Sequence, residues 1–416
     1  MSRSRKDGIR LEDGIRLEDG KETLAQEIDR LAGELVSTSR FIHEHPEVGL
    51  QEVEAKRALC RLLERGGFDV GPGVATLPTS FVARCQLPPG RPAVVFLAEY
   101  DALPGLGHAC GHNLIGVAAV GAALGVKAAM TRHRVGGTVL VYGTPAEEGA
   151  VDGAGGKVHF VEAGMFRQVD AALMAHPSSH TVVESSGSTG RVALEVTFHG
   201  KAAHAAGSPQ DGINALDAAI LTFNAWNALR QHVSEDVRIH GIISEGGKSP
   251  NIIPDLARIR MYVRARDAAY LQEVEERVKD CARGAAQATG ARVDFRYTAQ
   301  TYLSLLPNRT LAAAYKTNLE RLGARAEQPE RKSGGGSTDA GNVSHVVPLI
   351  HPYFAICPPG TPGHSPEFAA AAGTPEAYRA MLLAAKVLGM TAYDLLTDPE
   401  LVARAQAELR DARAGR

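Results

Sequence analysis

Three short apolar runs, each ended by acidic or imidazole side chains, constrain this chain most. AVVFLAEYDALP (93–104), GTVLVYGTPAEEG (137–149) and AALMAHP (171–177) each read as a buried strand running into a polar turn. Between the first two lies Asn113–Ala129, rich in Ala, Gly and Val, which reads as a buried helix. Strands alternating with helices predict an α/β domain whose mainly parallel sheet is covered by helices on both faces. In such sheets ligands collect at the carboxyl ends of strands. The candidates for chemistry stand there: Asp101 after the first run, Glu147 and Glu148 after the second, His176 after the third. Cys110 and His112 share the loop GHACGHN (107–113).

Helical spacing of Leu24, Ile28, Leu31, Leu35 and Ile42 predicts a helix over Leu24–His43, ended by Pro46. A second amphipathic helix covers roughly Glu52–Gly66. After about residue 188 the pattern changes. VALEVTFHG (192–200) alternates like a half-exposed strand, and VRIHGIISEGG (237–247), ARIRMYVRARD (257–267) and ARVDFRYT (291–298) follow, with helices at Asp211–Gln231 and Tyr270–Thr289. Two helices on a four-stranded, antiparallel sheet make an inserted α+β domain, expected over 189–303. The chain then returns to the first domain, 21–188 and 304–416, through a helix at Thr310–Leu322, a Gly-rich loop at 334–344, a strand in HPYFAICPPG (351–360) and a final helix at Pro375–Thr391.

A chain of 416 residues suits two domains. Its formal net charge of −2 gives no reason to expect nucleic acid or an acidic membrane surface as partner. Five scattered cysteines, Cys60, Cys85, Cys110, Cys281 and Cys357, argue against a disulfide framework and for a reducing compartment. No run of eighteen apolar residues predicts a spanning helix. Residues 1–20 repeat a hexapeptide, Asp7–Glu12 recurring as Asp13–Glu18, lack the apolar centre of a signal peptide, and are expected to be a disordered extension. Cytoplasmic residence is the expectation.

Cys110-x-His112 places two ligands on one loop, and Glu148, His176 and a late His364 in PGHSPEF can complete a two-metal site. Thiolate, imidazole and carboxylate together suit Zn, Mn, Fe, Co or Ni better than Ca or Mg. Two metals about 3.5–4 Å apart can hold a bridging water and lower its pKa toward neutrality. Glu147 can take that water's proton, and Asp101 can bridge or orient the cluster. Each residue also has a plainer reading: a lone Cys as core, adjacent glutamates as a solvated helix face, His176-Pro177 as a strand end. Their coincidence at strand ends of one sheet favours the metal site.

AEYDALPGLGHACGHNLIG (98–116) resembles the amidohydrolase branch of the metallopeptidase-20 family, which includes aminobenzoyl-glutamate hydrolases, aminoacylases and animal basic-dipeptide dipeptidases. GTPAEEGAVDGAGGK (143–157), MAHP (174–177), GKAAHA (200–205), NALDA (214–218), PNIIP (250–254), GSTDAGNVSHVVP (336–348) and PGHSPEF (362–368) follow in the family's order, over roughly residues 22–400. The resemblance implies two divalent transition metals per subunit, Mn or Zn foremost, held by Cys110, His112, Glu148, His176 and His364. It implies Glu147 as general acid/base and Asp101 as the assisting acid. His204 becomes the inserted-domain histidine that stabilises an oxyanion in the partner subunit's site, so a homodimer through the inserted lid domain, or something larger, is expected. Asn251 and Arg264 sit where the family places substrate contacts, and the loop 336–339, with Ser337, and Gly360 shape the pocket. Ser337 is no nucleophile, since no G-x-S-x-G elbow surrounds it.

The chain departs from the family's usual residues at Ala202, Ala203, Ser249 and Ser365, which touches the pocket more than the metals. The expected reaction is metal-dependent hydrolysis of a C–N bond, the amide of an N-acyl amino acid or dipeptide. A second reading keeps the metals and changes the electrophile, releasing ammonia from an aromatic amine such as a substituted anthranilate. A third is a non-catalytic binding protein on the same fold.

Overall fold

The computed structural model describes the backbone of residues 4–183, 187–327 and 336–414, with side chains from Leu17 onward. It divides into two compact units. The larger comprises Met1–Ser186, Leu306–Arg331 and Asn342–Arg416, and the smaller Gly187–Leu305 with Lys332–Gly341.

The larger unit begins with α1 (Ser4–Glu44) and α2 (Val53–Arg65), then β1 (Asp69–Pro72), β2 (Phe81–Leu87) and β3 (Ala93–Ala98). Next come α3 (His112–His133), β4 (Gly137–Gly143), α4 (Gly156–Glu162), β5 (Ala171–Leu173) and β6 (His176–Ser178). The smaller unit carries β7 (Gly190–His199), α5 (Ala215–Leu229), β8 (Arg238–Glu245), β9 (Leu256–Ala265), α6 (Ala268–Thr289) and β10 (Arg292–Tyr297). The chain ends with α7 (Arg309–Arg321), α8 (Ala340–Ser344), β11 (Leu349–Ile350), β12 (Tyr353–Ala355), α9 (Pro366–Ala371), α10 (Pro375–Thr397) and α11 (Pro399–Ala414).

The main sheet has the order β1-β2-β4-β3-β5-β11. β4, β3, β5 and β11 run parallel, while β1 and β2 are antiparallel additions at one edge. β3 and β4 are buried along their whole length, as continuous apolar runs demand. The helix α3 packs on them and against α1 and α10. By length and composition α3 and α10 could each cross a bilayer, but 83% and 67% of their most apolar windows are buried in the protein, which makes them core helices.

One expectation needs correction. AALMAHP is not one strand: β5 stops at Leu173, and His176 opens β6, which pairs in parallel with β12 in a separate two-stranded sheet. The expected strand at 351–360 is present as β12 (Tyr353–Ala355), and β11 (Leu349–Ile350) precedes it across His351-Pro352. Pro352, between β11 and β12, lacks the N–H a continuous ladder needs. At the N-terminus α1 runs from Ser4 to Glu44, a span that includes the hexapeptide repeat.

In the smaller unit the antiparallel sheet β10-β7-β9-β8 has one apolar face. Val192, Leu194, Val196 and Phe198 of β7 and Ile259, Met261 and Val263 of β9 pack under α5 and α6 around Trp226. The unit is wider than 189–303. The Ser188 hydroxyl accepts the Leu305 amide at 2.9 Å, and the Thr189 amide donates to the Gly336 carbonyl at 3.2 Å. These bonds tie both connections and part of the Gly-rich loop to the sheet.

The approach of α3 to the end of β3 depends on Gly116. A Cβ there meets the Glu99 carbonyl oxygen at 2.8 Å and Leu59 Cδ1 at 3.1 Å. Gly116→Ala is expected to destabilise the larger unit by about 1–3 kcal/mol, read as earlier loss of helical circular dichroism in urea. Gly33→Ala, on the exposed side of α1 with nothing within 4 Å of the new methyl, is expected to stabilise by about 0.5–1 kcal/mol.

Candidate metal centre

The site is built at the carboxyl ends of β3, β4 and β5, where three turns and the first residue of α3 converge. Gly111 caps α3 with φ +76, a left-handed conformation that turns Cys110 and His112 toward one point. A Cβ at Gly111 would meet Pro177 Cγ at 2.8 Å, so glycine also allows the His176-Pro177 turn to close over the loop. His364 arrives from the chain's last third. Its amide donates to the Ala109 carbonyl at 3.0 Å, which moors the PGHS turn to the Cys110 loop.

The five expected ligands come together as two donor groups. Cys110, His112 and His176 form one, and Cys110, Glu148 and His364 the other, with the ligand atoms of each within 4.8 Å of one another. Cys110 belongs to both, so its sulfur would be available to an ion in either group. Its Sγ lies 3.4 Å from His176 Nε2, and Glu148 Oε2 lies 3.4 Å from His364 Nε2. Glu147 stands in a third group with His112 and Glu148.

Asp101 is not in these donor groups. One of its oxygens takes His112 Nδ1 at 2.9 Å and the other accepts the Glu148 amide at 3.1 Å. This leaves His112 Nε2 as the nitrogen that would ligate a metal, a division of labour common for metal-bound histidine. His112 Nε2 and Glu148 Oε1 face each other at 3.7 Å, both buried and neither hydrogen-bonded. Unsatisfied buried polar atoms are costly, and both atoms are good donors to a divalent transition metal. The residues therefore fit such ions.

Electrostatics support the same fit. Loss of water pushes the Cys110 thiol well above its usual range, and the Glu148 charge adds to this. A thiol in that setting becomes a thiolate by coordinating a cation, helped by the N-terminus of α3. Burial, then the neighbouring His351, depresses His176 to about 3, so its ring is neutral and able to ligate. At His112 burial opposes protonation, but Asp101, then Cys110 and Glu99, outweigh it and hold the imidazole well above its usual value. Those same acids are charges a divalent cation can balance.

Sequence reasoning missed three participants. Glu99 and Lys157 form a fully buried ion pair at 2.6 Å, and Glu99 Oε2 lies 3.3 Å from His112 Nε2. Burial works against the Glu99 carboxylate, but the Lys157 ammonium and the nearby histidines hold it below the usual range. His351 stacks on His176 with ring centroids 5.6 Å apart. The available signals were a second acid two residues before Asp101 and a lysine ending the small-residue run GAGGK.

The remaining expected residues lie elsewhere. In the smaller unit His204 is exposed, and its Nδ1 accepts the Ala206 and Gly207 amides at 3.2 and 3.0 Å. Nε2 must then carry the proton and can donate it. Asn251 adjoins His204 through the Ala205 amide, which donates to the Asn251 carbonyl at 3.0 Å. Arg264 donates to the Ser337 hydroxyl at 2.8 Å, so Ser337 meets a guanidinium and not a base. Gly360, in the larger unit, is an exposed turn residue with φ +88.

Residues 95–386 match the family described as Peptidase family M20/M25/M40. The chain is similar to the Xaa-Arg dipeptidase of Mus musculus, 42% identical over 408 residues covering 94% of this chain and 92% of the relative. It is 33% identical to a p-aminobenzoyl-glutamate hydrolase chain of Escherichia coli (strain K12), covering 88% of this chain and 90% of the relative. Its fold matches the crystal structure of a dinuclear metal binding peptidase of the M20 family from Bacillus subtilis, with TM-score 0.65, 24% identity and coverage of 88% of this chain and 99% of that one. With the family description matched over more than half its length, and relatives this similar along nearly all of it, the chain belongs to peptidase family M20/M25/M40.

Proposed function

We propose that this hydrolase, a C–N bond-cleaving member of its family, cuts the amide bond of a dipeptide or N-acyl amino acid at the Cys110 centre. The observation that carries this reading is the pair of donor groups sharing Cys110, with Glu147 beside them. Relatives named for cleavage of Xaa-Arg dipeptides and of p-aminobenzoyl-glutamate support an amide substrate. The 42% identity to the former favours a dipeptide. Cys110, His112, Glu148, His176 and His364 are the proposed ligands of two divalent ions, Mn or Zn foremost.

When bound, such ions supply Lewis acidity that polarises the scissile carbonyl and makes water acidic. The chain's own residues do the rest. Asp101 holds His112 in the tautomer that leaves Nε2 for the metal. Glu147 takes the proton of the attacking water and passes it to the leaving nitrogen. His204, with a proton on Nε2, donates to the developing oxyanion from the partner subunit of a homodimer. Arg264 and Asn251 contact the substrate, with Ser337 and Gly360 shaping its pocket.

The dimer reading has its own support. β8 is an edge strand that exposes Ile242 at 64% and Ile243 at 39%, an apolar edge suited to pairing with a second copy. The five cysteines are all free, in keeping with a reducing, cytoplasmic setting.

Glu147→Gln is expected to lower kcat by about 10²- to 10⁴-fold while metal content stays at the wild-type level. Unchanged turnover refutes the role of Glu147. Removal of metal by a strong chelator is expected to abolish amino-acid release from N-acyl amino acids and dipeptides, and Mn or Zn to restore it. Full activity with no metal found by elemental analysis overturns the reading. Ammonia release from aromatic amines, in place of amino-acid release, assigns the chain to deamination. His204→Ala is expected to lose about 10²- to 10³-fold in kcat, and sedimentation is expected to show a dimer. A fully active monomer contradicts the role of His204.

A further inference from the structure

Glu52 is fully buried at the N-terminal cap position of α2, yet its side chain caps nothing there. The Glu54 and Ala55 amides at that helix start are taken by Glu47. The Glu52 carboxylate leaves the helix instead. Oε1 accepts the Ala146 amide at 2.9 Å, and Oε2 accepts the Thr79 hydroxyl at 2.8 Å. The Thr79 carbonyl in turn accepts the Tyr100 hydroxyl at 2.7 Å.

These bonds join two places that matter. Tyr100 stands between Glu99 and Asp101 at the end of β3. Ala146 stands immediately before Glu147 and Glu148 at the end of β4. One carboxylate therefore braces both acidic turns of the candidate centre. Ala146 needs a brace, because its φ is +56, a conformation that a residue with a Cβ adopts at a cost of about 1–3 kcal/mol. Its amide is held by Glu52, and its carbonyl accepts the Gly155 amide at 2.8 Å. Release of the amide lets φ relax and turns the next two side chains away from His112 and His364.

We propose that Glu52 is a positioning residue for the metal centre, orienting Glu147 and Glu148 through the Ala146 amide and the Thr79–Tyr100 link. This inference rests on the metal-dependent reading above. The test uses the full chain as wild type and as Glu52→Ala, Glu52→Gln, Thr79→Val and Tyr100→Phe. Each is stripped of metal, Mn and Zn affinities are read by competition with a fluorescent chelator, and kcat and KM are then measured at saturating metal.

Glu52→Ala is expected to weaken metal binding by about 10- to 100-fold and to lower kcat by about 10- to 100-fold, with KM unchanged. Glu52→Gln keeps an oxygen for the Ala146 amide and can donate to a reoriented Thr79 hydroxyl, so it is expected to recover most of both losses. Thr79→Val and Tyr100→Phe are expected to show smaller losses in the same direction. Wild-type affinity and kcat in Glu52→Ala overturn the proposal, as does equal damage in Glu52→Gln. If Glu52→Ala does not fold, wild-type behaviour of both Thr79→Val and Tyr100→Phe overturns it. A wild type that binds no metal defeats the metal-centre reading first and this one with it, a result distinct from normal binding in the variants.

Discussion

The arrangement depends most on how Asp101 spends its two oxygens. One fixes the imidazole of His112 at the start of α3, and the other fixes the backbone of Glu148 at the end of β4. A single buried carboxylate at the end of β3 thereby connects candidate donors from two other elements. Burial alone disfavours its charge, but the charge and hydrogen bond of His112 and the Glu148 amide outweigh that and keep Asp101 ionised below its usual range. An asparagine could match the shape but has only one acceptor oxygen, and its NH2 group cannot accept, so it could not serve both His112 Nδ1 and the Glu148 amide.

The described residues of the centre are rich in acids. Glu99 has Lys157, whose ammonium is buried beside it. Asp101 has His112. Cys110 and Glu148 face imidazoles and one another, and burial disfavours the charged form of both. That concentration of acids is the physical case for divalent ions, and the donor types narrow it. A sulfur shared by two groups with three imidazoles selects borderline transition metals, whereas an all-oxygen site would suit Ca or Mg.

The candidate donors that the structure gathers were legible in the sequence because each is a local event. A buried parallel strand must end in a turn, and a turn rich in Cys, His and Glu at the carboxyl end of such a strand has a restricted set of uses. The four-stranded smaller unit was legible for a similar reason: period-2 alternation in β7 and β9 puts Val192, Leu194 and Val196 on one face and Arg191 and Glu195 on the other. What escaped were features set by contacts distant in sequence. Nothing local to Lys157 announces Glu99, 58 positions earlier by the numbering (157 − 99). The split of the third strand needed β11 and β12 as partners, since AALMAHP alone reads as one run. The smaller unit's capture of residues 336–341 depends on Thr189 and Arg264 meeting the Gly-rich loop.

Strain follows the same division. Four described non-glycine residues have positive φ: Leu50, Arg134, Ala146 and His364. Arg134 ends α3, an ordinary place for a left-handed residue. Ala146 adjoins the two glutamates, and His364 is itself a proposed ligand. Leu50 follows Gly49, where a Cβ would meet Ala146 Cβ at 2.8 Å, so the turn before α2 is shaped to lie against Ala146. Such conformations persist only where surrounding bonds over-determine them. For Ala146 those bonds come from Glu52 and Gly155, and for His364 from Ala109. The turns that hold these candidate donors are thus kept in unfavourable geometry by groups elsewhere in the chain, which is why residue types could point to the donors but not to the means by which they are aimed.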